Sequence, residues 1–319
     1  MKRILTLIVA MLAVSYGGAA LAQDYPDRPI SVMVSYGAGG ATDFQARIVT
    51  MVAGNEEYLG QPIVILNRPG AGGRVGWNHF ASKAKADGYE MAAYNVPHFI
   101  AQSIKFDTKY NIDNLEPIAN WGADPAVFVV GKDSPFDTMA DVVEYAKANP
   151  EKITVSGAGL FVGHHIAFLQ IQKETGVKMT YVPSKGGGAA ALKSVIGGQV
   201  MAGINNLSDA FRSRDNLKIL GVADNRRDKE FLPDVPTFKE QGFNVDDSSV
   251  NYRGIMVRKG TPQEVIDKLA AQVPKMFEND RVKKQMAKAG SPLRVLNRDQ
   301  VKAMWEERQV FLTELLKGL

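Results

Sequence analysis

The sequence predicts an α/β protein of two domains built on largely parallel sheets. Three observations carry this reading. The chain has 319 residues, and domains typically hold about 100–200. Short β-like runs alternate with helical stretches almost throughout. A strand, a Gly-rich loop and a helix recur in both halves of the chain.

The elements follow in order. Met1 to Ala22 carry Lys2 and Arg3, then the apolar run Ile4 to Val14, then a small-residue close at Ala20-Leu21-Ala22. That pattern is a secretory signal cleaved after Ala22. An uncleaved anchor is the competing reading, but Ser15, Gly17 and Gly18 interrupt a run already short of the roughly 20 residues that span a bilayer. Ile30 to Ser35 forms a first strand, and Thr42 or Asp43 caps a helix carrying Phe44, Ile48 and Met51. Pro62 to Leu66 is a second strand, the turn-rich segment Asn67 to Gly73 leads into another helix, and Tyr89 to Tyr94 supplies a third strand. A second set begins with Ala126 to Val130. Ile153-Thr154-Val155 runs into Ser156-Gly157-Ala158-Gly159, and a helix from about His164 to Glu174 closes on Gly176. Val177 to Val182 and Leu217 to Val222 are further strands, with a helix between Gly188 and Gly197. Thr261-Pro262-Gln263-Glu264 reads as a capping box. Asn297 with Gln300 begins a last helix whose Val301, Met304, Phe311, Leu312 and Leu315 form one buried face.

Composition excludes several classes of function. Cysteine is absent, which removes a disulfide scaffold, a thiolate metal site, a cysteine nucleophile and a lipid-anchored lipoprotein. Loss of Lys2 and Arg3 with the signal lowers the net charge of +4 by two, and the remaining charges are interspersed, so nucleic-acid binding is not expected. No segment matches G-x-x-x-x-G-K-[ST]. In each G-x-G the third glycine of a dinucleotide fingerprint would fall on Thr42, Val75 or Val162. Neither H-E-x-x-H nor G-x-S-x-G occurs. His164 and His165 project about 100° apart on a helix and make no metal pair. The sequence therefore calls for no catalytic residue, cofactor or metal.

What it offers instead is three Gly-rich segments between a strand and a helix: Gly37 to Gly40, Gly157 to Gly163 and Gly186 to Gly188. Glycine admits a ligand close to the backbone, and a helix N-terminus presents unpaired N–H groups and partial positive charge. Such loops suit a carboxylate or a phosphate.

Further residues carry a family resemblance. Tyr25-Pro26-Asp27-Arg28-Pro29-Ile30, Gly39-Gly40-Ala41-Thr42-Asp43, Asn67-Arg68-Pro69-Gly70-Ala71-Gly72-Gly73 and Ala86-Asp87-Gly88-Tyr89 resemble successive hallmarks of the Bug, or TctC-like, extracytoplasmic substrate-binding proteins of tripartite tricarboxylate transporters. Lys185 to Ala190, Ile196 to Val200, Leu232 to Thr237 and Lys259 to Pro262 agree in order. The resemblance implies a type II periplasmic-binding-protein-like fold, with two α/β domains joined by two crossings and a ligand cleft between them. On that reading residues 23–122 plus 250–319 form one domain and 123–249 the other, with crossings near Trp121 to Asp124 and Asp247 to Tyr252. It also implies a monomeric periplasmic protein that captures a small organic carboxylate, a dicarboxylate or an aromatic acid, for membrane transporter subunits. A periplasmic ligand sensor and a secreted hydrolase are the alternatives.

The ligand-binding set expected from both lines of argument is as follows. The first loop gives Tyr36, Ala38, Gly39, Gly40, Thr42 and Asp43, and the second gives Gly157, Gly159, Leu160, Phe161, Val162, Gly163 and His164. Gly186 and Asn205 follow, and Arg253 at the second crossing offers either a bidentate partner for a carboxylate or an interdomain structural salt bridge. Relatives carry a proline and an aromatic where this chain has Ser35-Tyr36. They carry a loop rich in Gly, Ser and Thr where it has Leu160-Phe161-Val162, and Pro-Tyr-Lys-Gly where it has Pro183-Ser184-Lys185-Gly186. The three apolar residues therefore point to a ligand with an apolar body.

Overall fold

A computed structural model describes residues 25–317; the expected signal segment, 1–22, lies outside the described residues. Two mixed sheets organise the chain. The first has the order β11-β4-β10-β3-β1-β2 and the second β7-β6-β8-β5-β9. Its members are β1 (Ile30–Val34), β2 (Ile63–Asn67), β3 (Glu90–Val96), β4 (Leu115–Asp124), β10 (Asn251–Arg258) and β11 (Leu293–Leu296) in the first sheet. The second holds β5 (Ala126–Gly131), β6 (Thr154–Gly157), β7 (Thr180–Pro183), β8 (Ala202–Asn206) and β9 (Leu217–Ala223).

The expectation of largely parallel sheets needs correction. β1 pairs in parallel with β2 and β3, and β6 with β7 and β8, but β10 runs antiparallel to β3 and β4, as β5 does to β8 and β9. The reason is topological. The chain leaves the first sheet at Asp124 and enters the second at Ala126, and it returns to the first at Asn251, directly opposite Asp124. A strand that begins where others end must run against them, so β5 and β10 oppose their neighbours.

Among the described residues ten α-helices cover the sheets: α1 (Ala41–Val49), α2 (Arg74–Lys83), α3 (His98–Lys105), α4 (Met139–Ala148), α5 (Gly163–Thr175), α6 (Gly188–Ile196), α7 (Leu207–Arg212), α8 (Gln263–Phe277), α9 (Asp280–Lys288) and α10 (Arg298–Leu315). None among the described residues is long and apolar enough to cross a membrane. β5 is an unbroken apolar run because both its faces are covered: Phe128 and Val130 join one apolar cluster, Val127 and Val129 another. The first sheet has its own cluster, in which Trp77, Trp121 and Trp305 are all buried.

Local signals held at some ends and failed at others. Asn297 and Gln300 form the reciprocal capping box of α10, and Val301, Trp305 and Leu312 bury its face, each contributing about 1.5–3 kcal/mol. Gly176 closes α5 at φ 68°. The box expected at Thr261 does not form, because the Thr261 hydroxyl donates to the Arg258 carbonyl instead (2.8 Å) and α8 starts after Pro262 without a side-chain cap. Neither Thr42 nor Asp43 is the N-cap of α1, a place taken by Gly40; Asp43 reaches back to accept from the Gly39 N–H (2.9 Å).

Candidate functional site

The C-terminal ends of β1, β3, β6 and β8 and the start of β10 converge on one small cavity, the position that ligands favour in open α/β sheets. Tyr36, Gly37, Gly40, Ala41 and Thr42 form one wall, Asn95, His98 and Asn251 the floor. Ala158, His164, Gly186, Gly188, Ala189, Asn206 and Asp209 close it from the second sheet. Only about 20 Å³ is open to the centre of a water-sized sphere, room for a water or two. Larger hollows, of about 430 Å³ beside residues 131–136 and about 510 Å³ beside Arg47 and Thr50, lie away from these strand ends.

Four helices begin at the cavity: α1, α3, α5 and α6, through Gly40, Pro97, Val162 and Gly187 respectively, and none of the four has a side-chain cap. Apart from the Ala41 N–H, which reaches Asp209 Oδ2 (3.4 Å), and the Gly163 N–H, which His98 accepts, their remaining first-turn N–H groups and positive dipole ends meet there, which favours an anion.

The imidazoles add donors of fixed direction. His164 Nδ1 accepts from the Ala158 N–H (3.1 Å) and His98 Nδ1 from the Gly163 N–H (3.4 Å), so in each neutral ring the proton sits on Nε2. Burial keeps both neutral. It pushes His164 down to about 4 despite Asn206, and it holds His98 well below the usual histidine range, with His164 and Arg253 adding to the effect. His164 Nε2 makes no hydrogen bond of full geometry among the described residues; Asn206 is near enough to pull its pKa up, but the N–H is left able to turn to a ligand at the cavity wall.

Thr42 is the second such donor. Its Oγ1 accepts from Asn95 Nδ2 (2.9 Å) and from Arg253 Nε (3.2 Å), so both lone pairs are engaged and its own proton is free to donate.

Arg253 itself does not line the cavity. Antiparallel pairing sets it opposite Asn95 on β3, behind Thr42, where it is fully buried and paired through Nη1 with Asp124 Oδ2 at 2.6 Å and with Gln45 Oε1 at 3.2 Å. Nη1 answers its charge inside the protein while Nη2 has no partner among the described residues, an arrangement that matches the structural salt bridge of the two readings.

The other expected residues divide cleanly. Tyr36, Gly40, Thr42, His164 and Gly186 line the cavity. Ala38 and Gly39 are exposed. Asp43 is tied up: burial opposes its ionisation, but hydrogen bonds from Arg47, Gly39 and Asn67 hold its carboxyl below the usual range. Gly157, Gly159 and Gly163 serve close packing; a Cβ there would meet Tyr181 Oη at 2.1 Å, Gly72 Cα at 2.7 Å and the Ser249 carbonyl at 2.5 Å. Asn205 holds the third Gly-rich loop, donating to the Gly188 carbonyl (2.9 Å). The apolar trio is not in the cavity. Leu160 is exposed, Val162 is buried beside Gly72 and Gly159, and Phe161, at φ 54°, packs on Phe106 and His165.

Sequence reasoning did not reach Asn95, His98, Asp209 and Asn251; Gly37, Ala41, Ala158, Gly188 and Ala189 lie within the Gly-rich segments and family motifs it pointed to without being singled out, and Asn206 is the second amide of the Asn205-Asn206 pair. Asn206, adjacent to the expected Asn205, carried a visible signal as the last residue of a strand-like run. Asn95 lies at the end of β3 and His98 just beyond it, with no Gly-rich loop beside them, so nothing local marks them.

This geometry agrees with the comparisons. The family described as the tripartite tricarboxylate transporter family receptor matches residues 46–310. The chain belongs to that receptor family. A relative from Cupriavidus necator, named as a protein in the gbd 5′ region, is 32% identical over 84% of this chain and 80% of its own. Among solved structures, the periplasmic binding protein BugD is 27% identical, covers 92% of this chain and 98% of its own, and superposes with a TM-score of 0.84. MatC from Rhodopseudomonas palustris, with bound malate, is 25% identical over 92% of this chain and 100% of its own, with a TM-score of 0.82. The receptor is thus a periplasmic solute-binding protein of the TctC and Bug type, with the expected two-sheet fold.

Proposed function

We propose that this receptor binds a small organic carboxylate between its two sheets, delivers it to a tripartite tricarboxylate-type transporter in the periplasm, and catalyses no reaction. The convergence of four uncapped helix N-termini on one cavity carries the reading. Backbone N–H groups, Thr42 Oγ1–H and His164 Nε2–H supply donors; among the described residues that line the cavity the only charged side chain is Asp209, whose carboxylate Arg212 pairs, so the anion is held by dipoles rather than by a salt bridge. Within carboxylates, a compact dicarboxylate fits better than an aromatic acid, since Leu160, Phe161 and Val162 turn away and the lining is polar; malate in MatC supports the same class. Residues 23–122 plus 250–319 and residues 123–249 act as two domains that part at the crossings to admit the ligand, because about 20 Å³ does not hold an organic acid. The mature receptor is a monomer after cleavage at Ala22.

Thermal unfolding in the presence of C4 to C6 dicarboxylates and benzoate-type acids tests this. A bound acid raises the melting temperature by mass action, by the equivalent of about 2.7 kcal/mol at a hundredfold excess over Kd. If no carboxylate shifts the transition, the reading fails.

A further inference from the structure

A line of three asparagine amides crosses the floor of the cavity. Asn95 Nδ2 donates to Asn251 Oδ1 (3.1 Å), Asn251 Nδ2 donates to Asn206 Oδ1 (3.3 Å), and Asn206 Nδ2 donates to Asp209 Oδ2 (3.2 Å). The last member sets the direction of all the others. Arg212 pairs with the other oxygen of Asp209, and the carboxylate so held only accepts. Asn206 must therefore turn its amide nitrogen to Asp209 and its oxygen to Asn251, which in turn faces its oxygen to Asn95. Asn95 is left with Nδ2 committed twice, to Asn251 and to Thr42, and with an oxygen that has no partner. That oxygen belongs to a residue 1% exposed that lines the cavity.

The cavity thus holds an orphan acceptor besides the donors that suit a carboxylate. A plain dicarboxylate offers it no hydrogen. We propose that the cognate ligand is a short carboxylate bearing a hydrogen-bond donor, a hydroxyl or an ammonium group, on its carbon skeleton, and that Asn95 Oδ1 receives that donor. The proposal rests on the carboxylate reading and narrows it. Asn95 is then a specificity-determining residue, and Asp209, which touches it only through Asn206 and Asn251, is a positioning residue.

Calorimetric titration of the full receptor with two matched series tests it: succinate, malate and aspartate, then glutarate, 2-hydroxyglutarate and glutamate. In the better-binding series, the hydroxy or the amino acid binds at least about tenfold more tightly than its unsubstituted parent, because a site built to bond a donor discriminates against an analogue that lacks one. Which of the two wins identifies the donor. Asn95→Ala brings the ratio close to one, whatever it does to the affinity for the parent acid, since Asn95 also bonds Thr42. Equal binding of parent and substituted acids overturns the proposal and leaves the carboxylate reading intact. Failure of all six to bind overturns the proposal, and the carboxylate reading then stands or falls on the wider panel of C4 to C6 and benzoate-type acids. Should Asn95→Ala not fold, the ratios measured on the unmodified receptor decide alone, and an unchanged ratio in a folded Asn95→Ala overturns the role of Asn95.

Discussion

Arg253 and Asp124, 129 positions apart in sequence, form a wholly buried ion pair in which Arg253 Nη1 donates to Asp124 Oδ2 at 2.6 Å. Asp124 also accepts from the backbone N–H of Ser208 (3.1 Å) and from Gln45 Nε2 (3.2 Å), so the pair ties β4 and β10 of the first sheet to α7 beside the second. Removing one partner leaves a buried charge unanswered. Arg253→Ala is expected to destabilise the fold by about 3–5 kcal/mol, read from urea unfolding, and Asp124→Asn by a comparable amount. The two substitutions together should cost less than their sum, since the second removes the charge stranded by the first. Additive losses would show that the pair is not coupled.

Acid should weaken the fold through the histidines. Burial lowers His164 and His165 from 6.5 to about 4 in the native state, and lowers His98 as well. A histidine whose folded pKa is depressed takes up protons more readily when unfolded. Stability is therefore intact above about 6.5, falls as the pH drops through the window from 6.5 to 4, and loses on the order of 3 kcal/mol for His164 across that window. Asp209, whose carboxyl is pushed up by burial against the pull of Arg212, titrates in the opposite sense and offsets a part. Melting temperatures measured from about pH 7 to about pH 4.5 should fall, and His164→Gln should flatten the slope. A flat profile in the unmodified receptor would sink this account.

Gly159 sits at φ 152° with its Cα face against Gly72, where a Cβ would come within 2.7 Å of Gly72 Cα. The two loops meet beside the cavity, outside its lining, bridged by Gln102 Nε2, which donates to the carbonyls of Gly72 (3.1 Å) and Leu160 (3.0 Å). Gly159→Ala should hold these loops apart and weaken carboxylate binding by about tenfold or more, equivalent to about 1.4 kcal/mol, a loss within the range of backbone strain at such positions. Titration of the variant with the best-binding acid checks this; unchanged affinity would mean that the loops need not approach.

Phe161 is expected to matter for stability and not for recognition. Its ring packs edge-on against Phe106 (5.4 Å) and His165 (5.2 Å), outside the cavity. Phe161→Ala should lower stability by about 1–2 kcal/mol while preserving the order of affinities among aliphatic and aromatic acids. A changed order would return Phe161 to the binding surface.

The sequence by itself determined the receptor family, the α/β alternation, the Gly-rich loops at the strand ends and the capping of α10. These signals are local. A glycine at a turn, or an Asn three residues before a Gln, acts on neighbours in the chain and can be read without knowing what lies opposite. The same logic located Tyr36, Gly40, Thr42, His164 and Gly186 at the cavity. Tertiary structure alone decided where the remaining side chains went. Arg253 was visible as a cation at a crossing, but only the register of β10 against β3 and β4 brought it behind Thr42 and beside Asp124. Leu160-Phe161-Val162 reads locally as a ligand-facing tip, whereas the left-handed backbone at Phe161 sets its ring against Phe106. Asn95, Asn206 and Asn251 come from three strands in two sheets, and their shared line of hydrogen bonds exists only once those strand ends meet. A buried polar group takes its partner from whichever element packs against it, and that choice is made by long-range strand order, which no local pattern encodes.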